Sequence, residues 1–242
     1  GASNLHQVRL NNVTGTFEPI TVDHDDMGGM HGAPAFSIVG SAGYNRTGSA
    51  VQLTPDQAKK VGGIMSEDKI DLTHDFNIKF DVFLGGKDAT GADGLAFVLH
   101  NDARGSDAIG GGAANLGAAG IKNGLGIEFD TYNNGGGNGD IAADHTNFFD
   151  TDASVAARAI TAAHSLGNIE DGRWHAVQVK WNAAAHTLSY SFDGVQVGSL
   201  TQDIAAAYFA ASEEVHFGVT ASTGGLANLH QVRFVSVDAM FV

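Results

Sequence analysis

Between Gly126 and His145 the chain gathers donor groups that could hold divalent cations. The stretch reads Gly126-Ile-Glu-Phe-Asp-Thr-Tyr-Asn-Asn134, passes through a glycine-rich loop, and reaches Asp140 and then Asp144-His145. With Gly124–Tyr132 as a strand, Glu128, Asp130 and Tyr132 project to one face, because side chains alternate. Asn134, Asp140 and His145 can then fold back over the strand's end. Three carboxylates, an amide oxygen, a backbone carbonyl and an imidazole suffice for one calcium site and a neighbouring transition-metal site. Oxygen-only ligation suits calcium at about 2.3–2.6 Å, whereas a position that includes imidazole suits manganese or zinc. Acidic groups at the tip of so apolar a strand would repel one another without a cation between them. A merely solvated acidic loop fits less well, since carboxylates on the buried side of a strand need a partner.

Taken alone, Glu128-x-Asp130 resembles laminarinase-type glycoside hydrolases, which need a second glutamate four or five positions after the first as acid/base. Tyr132 and Asn133 stand there instead. With no second carboxylate at working distance, retaining hydrolysis lacks its acid, and the chain is not expected to be an enzyme.

The elements that must position these donors are strands. Glycine stands at 33 residues and proline at 3, with the glycines clustered between apolar stretches as turn punctuation. Phe76, Ile78, Phe80, Val82 and Leu84 alternate with polar residues, the pattern of a half-buried strand. Val177–Trp181 alternates likewise, Leu188, Tyr190 and Phe192 lead into an Asp193-Gly194 hairpin turn, and Val215, Phe217 and Val219 form another strand. Gly94–His100 and Gly124–Tyr132 are more continuously apolar, as inner strands are. Ala153–His164 is alanine-rich but carries no clean apolar stripe, so strand or loop is favoured over helix. A short helical turn after Pro55 is equally admissible. The expected class is all-β, an antiparallel sandwich with little helix.

Composition narrows the partners. Asp and Glu number 27 against 13 Lys and Arg, a formal net charge of −14. That argues against nucleic acid or an anionic membrane surface, both of which need a basic footprint. The absence of cysteine excludes disulfides and thiolate metal sites. No apolar run approaches the ~18 residues of a membrane span, and no signal peptide is visible at Gly1.

Two motifs carry a resemblance to the L-type (legume-lectin-like) lectins. Ala92-Asp93-Gly94-Leu95-Ala96-Phe97 is similar to their Ala-Asp-Gly-x-Ala-Phe signature, and Glu128-Phe-Asp-Thr-Tyr-x-Asn134 with Asp140 and His145 is similar to their metal motif. Gly110–Gly117 resembles the family's glycine-rich sugar loop, Gly218–Gly225 its last binding loop, and Phe36–Leu53 its early strands. The likeness covers about residues 20–242 and is nearest in flavour to bacterial members found in large surface adhesins. It implies a concanavalin-like, jelly-roll sandwich with metals beneath a sugar site. By that resemblance Glu128, Asp130, Asp140 and His145 would ligate a second divalent metal, Mn2+ or Ca2+, and Asp130, the Tyr132 carbonyl, Asn134 and Asp140 would ligate Ca2+. Asp93, the Gly112 backbone, Tyr132, Asn134, Gly225 and Leu226 would contact the sugar, with a cis peptide before Asp93. The sequence departs from the pattern in a glycine-rich loop after Asn134, in a sugar loop one residue longer, and in Asp144, which could replace His145 and leave a calcium-only site.

The resemblance thus implies a calcium-dependent glycan-binding module of an extracellular or cell-surface adhesin, itself part of a longer multidomain chain. A spacer domain that keeps the metal site but binds no sugar is the alternative. Asn4-Leu-His-Gln-Val-Arg9 recurs as Asn228-Leu-His-Gln-Val-Arg233. Residues 1–18 are therefore read as an N-terminal strand or the tail of a preceding related domain, and 19–242 as the lectin sandwich. Asp23-His24-Asp25-Asp26 with His31, and Arg104–Asp107, are read as surface loops. Trp181 is expected in the core.

Overall fold

The computed structural model describes residues 34–45, 50–135, 139–153 and 158–242. The N-terminal hexapeptide copy and the Asp23–His31 cluster lie outside them. Two antiparallel sheets pack face to face, and the alternation in sequence becomes the wall between them. One sheet has the spatial order β1 (Phe36–Gly40), β4 (Val61–Ser66), β14 (Glu214–Ser222), β7 (Gly94–His100), β8 (Gly124–Asp130), β9 (Asp144–Asp150) and β10 (His164–Gly167), with β5 (Ile70–Asp71) paired to β14. The other runs β13 (Val195–Thr201), β12 (Thr187–Phe192), β11 (Trp174–Asn182), β6 (Phe76–Phe83), β15 (His230–Asp238), β3 (Val51–Thr54) and β2 (Gly43–Tyr44).

Strand β6 shows how the pattern works. Phe76, Ile78, Phe80 and Val82 turn inward, and Phe80 stacks on Phe97 of the opposite sheet with ring centroids 5.6 Å apart. A cluster of this kind is the main source of stability, at roughly 1.5–3 kcal/mol per large apolar side chain buried. Asp193 and Gly194 both take positive φ, +47° and +80°, the conformation that a two-residue hairpin between right-twisted strands requires. Trp181 lies in the core with its indole N–H donating to the Leu72 carbonyl at 2.8 Å.

Strands β7 and β8 are buried on both faces, which explains their unbroken apolar runs. Their inner face meets the second sheet. On the outer face, segment 105–121 folds over them and builds a small core of its own from Ala108, Leu116, Ala118 and Ile121 against Ala96, Val98, Met65 and Phe149. That segment is the roof under which polar side chains of β8 become buried.

Helix is confined to one α-helical turn, α1 (Ile204–Tyr208), and two 3-10 turns at Gly105–Asp107 and Ala113–Asn115 among the described residues. Asp203 caps α1 by accepting from the Ala206 N–H at 3.0 Å. The described part of Ala153–His164 is not helical: Ala159 bridges to Phe149, and β10 begins at His164. The segment after Pro55 makes bends instead of a helical turn, and Lys59 sits at φ +59° with its N–H on the Gly224 carbonyl. No helix of the described residues is long and apolar enough to cross a membrane.

Candidate functional site

The donors converge because β8 and β9 are in register. Asp130 faces His145 and Glu128 faces Asn147 across the pair, so all four side chains share the outer face beneath segment 105–121. The other face of the same strands is held from inside by Tyr190, whose hydroxyl meets the Thr146 hydroxyl at 2.9 Å and whose ring abuts Phe148. Asp140 reaches the cluster from the loop between the two strands.

Asp130, Asp140 and His145 each offer one ligand atom, and these atoms lie within 4.8 Å of one another, all in buried residues. Asp130 Oδ2, Asp140 Oδ1 and His145 Nε2 are buried without a hydrogen-bond partner. The remaining atoms of these side chains are engaged. Asp130 Oδ1 accepts from the Tyr132 N–H at 2.8 Å, and Asp140 Oδ2 from the Asn134 N–H at 2.6 Å. His145 Nδ1 faces the Ala143 carbonyl at 3.1 Å. A carbonyl can only accept, so Nδ1 donates to it and Nε2 is the nitrogen turned into the cluster, the orientation of a metal-ligating histidine with its outer partner. Burial drives the Asp130 carboxyl well above the usual carboxylate range, and the Glu128 charge adds to the effect. Three inward-facing orphan donors around one point fit a divalent cation.

Glu128 is also buried, and burial raises its pKa against the opposing pull of Arg158 and His145. Its Oε1 lies 3.9 Å from His145 Nε2. Both of its oxygens, however, already accept: Oε1 from the Asn147 side-chain amide at 2.6 Å, and Oε2 from the Arg158 guanidinium at 2.9 Å. Sequence reasoning missed both partners. Asn147 was reachable, since it follows His145 by two positions on the same strand; Arg158 had only the signal of a lone arginine in an apolar, alanine-rich stretch. Asp144 turns away from the cluster, its Oδ2 accepting from the Ile169 N–H at 2.8 Å.

Beside this cluster, β7, β8 and β14 begin or end at the same edge of the sheet. Gly94 pairs with both Asp130 and Ser222, so Asp93, just before β7, sits at that edge. Its carbonyl accepts from the Thr131 N–H at 2.9 Å, and the Ala92–Asp93 peptide is cis. Only glycine can follow it: Gly94 has φ +128°, and a Cβ there would stand 2.2 Å from the Phe129 carbonyl oxygen. The Asp93 side chain is 3 % exposed, with Oδ2 unpartnered. Burial pushes its pKa up to about 6, opposed by the Gly224 N–H.

The remaining candidates surround this edge. A Cβ on Gly224 would meet both Asp93 Oδ2 and the Ala113 side chain, and the Ser222 hydroxyl donates to the Ala113 carbonyl at 2.7 Å. The glycine-rich loop that contains Gly112 is thereby drawn to Asp93. Nothing lies within 4 Å of a Cβ built on Gly225. Tyr132 and Leu226 are exposed apolar side chains on the loops that follow β8 and β14. Asn134 is exposed and its amide donates to the Tyr132 carbonyl at 3.0 Å.

The chain as a whole has counterparts among known proteins. The family described as the legume lectin beta-barrel domain matches residues 30–236. Pesticidal crystal protein Cry22Aa of Bacillus thuringiensis is 28 % identical over 239 residues, covering 86 % of this chain and 32 % of that protein. The serine-rich adhesin for platelets of Staphylococcus aureus (strain MSSA476) is 26 % identical over 243 residues, covering 90 % of this chain and 10 % of the adhesin. The chain thus spans a third or less of these relatives. Among solved structures, the lectin from Bauhinia forficata in complex with GalNAc superposes with a TM-score of 0.68 at 17 % identity, covering 82 % of this chain and 90 % of that one. That likeness speaks for the fold. Since the family match takes in most of the chain, the protein belongs to the legume (L-type) lectin domain family, a non-enzymatic family.

Proposed function

We propose that the chain is a calcium-dependent glycan-binding module of an extracellular or cell-surface adhesive protein. The observation that carries this reading is the pairing of two orphan sets at one sheet edge: the inward-facing donors of Asp130, Asp140 and His145, and the unpartnered carboxylate oxygen of Asp93. Asp130, Asp140, the Tyr132 carbonyl and Asn134 would hold Ca2+, which supplies positive charge to the buried carboxylates and fixes the Asn134 side chain. Glu128 and His145 complete the set read for a second divalent ion, Mn2+ or Ca2+.

The ligand chemistry follows from what each group can give. A sugar hydroxyl donates and accepts. Ionised Asp93 would accept two donated protons in charge-assisted bonds. The Asn134 amide and the backbone N–H groups of Gly112 and Gly225 would donate in return. Tyr132 and Leu226 would cover the apolar C–H patch of the ring. The staphylococcal relative is named as an adhesin, which supports an adhesive role within a longer chain.

A second reading, a structural spacer without sugar binding, is favoured by one detail. The Asn134 amide and the Tyr132 carbonyl satisfy each other, as they would in a loop with no ligand to serve. A glycan array in calcium and in EDTA, repeated with Asp93→Ala, separates the two. Binding that disappears on chelation and in the variant supports the lectin reading; no binding to any glycan in calcium supports the spacer.

A further inference from the structure

Of the four side chains that a second ion would need, Glu128 is already engaged from within. Arg158 is 1 % exposed, as is Glu128. Its Nη2 donates to Glu128 Oε2 at 2.9 Å, its Nη1 donates to the Ala114 carbonyl, and its guanidinium carbon lies 5.0 Å over the Phe149 ring. The backbone that presents it is anchored too, with the Asp150 N–H donating to the Arg158 carbonyl at 2.8 Å and Ala159 bridging to Phe149. Gly126 makes room for this stack: a Cβ there would stand 2.3 Å from the Phe149 ring. The arginine is therefore a packed component of the cluster, held on four sides.

From this geometry we infer that the Arg158 guanidinium takes the place of a second divalent cation, so that the chain binds one divalent ion, beside Asp130, Asp140 and His145, while Arg158 neutralises Glu128 and ties it to the glycine-rich loop. The inference rests on the reading that the cluster binds a metal at all. Charge balance argues for it. Glu128, Asp130 and Asp140 carry three negative charges in a buried space, which one divalent ion and one guanidinium cancel. A second divalent ion would leave two uncompensated positive charges there, and buried charge without a counter-charge is strongly disfavoured. Donor chemistry agrees. Glu128 has both oxygens engaged, by Asn147 and Arg158, while every orphan atom of the cluster belongs to Asp130, Asp140 and His145, apart from the Asn147 amide oxygen. The Ala114 contact gives the same cation a further role, since Ala114 lies in the loop that carries Gly112. Arg158 is thus a positioning residue that joins the metal-bearing strand to the loop proposed to meet sugar.

Equilibrium dialysis of the whole chain against millimolar Ca2+, Mn2+ and a mixture of the two, followed by elemental analysis, tests this. One ion per chain is expected in every case. Two ions would overturn the inference while leaving the proposed function standing; zero would overturn both. Variants add a second readout, the melting temperature in EDTA and in Mn2+. R158A is expected to melt lower than the parent in EDTA, with the deficit narrowed in Mn2+ as an ion enters beside Glu128 and the count rises above one. An equal deficit in both media would overturn the inference, because it would mark Arg158 as packing alone. R158K keeps the charge and is expected to hold one ion and most of the stability; it carries the test if R158A does not fold, and a second ion in R158K would refute the reasoning.

Discussion

Replacing Asp93 by asparagine should remove ligand binding and make the free protein more stable. Asp93 is almost fully enclosed, has one unpartnered oxygen, and burial pushes its carboxyl up to about 6. An acid whose folded pKa is raised contributes stability that is fully present below its unfolded value and is lost as pH rises through the folded one. Between pH 4 and 7 the carboxylate therefore turns from neutral to charged at a cost. A shift of about two pH units corresponds to at most roughly 3 kcal/mol at neutral pH. For a chain of this size that is a melting-temperature difference of up to roughly 6–12 °C. Asn keeps the shape and the acceptor for the Gly224 N–H but carries no charge. Metal-free, sugar-free protein should be melted at pH 7.5 and at pH 4, wild type beside D93N. The variant should melt higher at pH 7.5, and the gap should close at pH 4. If D93N melts at or below wild type at pH 7.5, or if the gap is the same at both pH values, Asp93 is not a charge held unpaired in readiness for a ligand.

Other consequences can be measured alongside. Saturating calcium should raise stability by about 2.7 kcal/mol at a hundredfold excess over Kd, read as a rise in melting temperature that EDTA reverses. Glycan affinity in constant excess calcium should fall about tenfold from pH 7 to pH 5 as Asp93, with its pKa of about 6, gains a proton; isothermal titration at the two pH values checks this. Tyr132→Ala should weaken glycan binding by about 0.5–1.5 kcal/mol through loss of its ring face, with no change in the urea midpoint, because the side chain is exposed. Gly126→Ala should cost about 1–3 kcal/mol or more by overpacking against Phe149, seen as a lower urea midpoint.

The sandwich was legible because its signal is local. Alternation in β6, β11 and β12 and the unbroken apolar runs of β7 and β8 each report which faces are covered, and Asp193-Gly194 names its own turn. The strand placement of Glu128 and Asp130 was legible for the same reason, since both lie two positions apart on β8; Tyr132, expected on that strand too, falls in the loop beyond its end at Asp130. What remained open depended on the phase of a second strand. Whether Asp144 or His145 faces the cluster is decided by the register of β9 against β8, and the structure sets His145 opposite Asp130. Arg158 was invisible because its partner lies 30 positions away and no periodicity links them. The turn at Ile204–Tyr208 should have been read, for Asp203 is an ordinary N-cap. The bends after Pro55 follow from a tertiary bond, Lys59 to Gly224, which no local propensity reports.

Segment 105–121 rests on a patch of its own, Ala108, Leu116, Ala118 and Ile121, apart from the large cluster between the sheets. The two layers are thermodynamically separable to that extent: amides of the roof can exchange with solvent through openings that leave the sandwich closed. The same separation bears on divergence: residues at the tip of this segment can change without disturbing the packing between the sheets, so the outer surface is free to vary while the scaffold beneath keeps its resistance to unfolding.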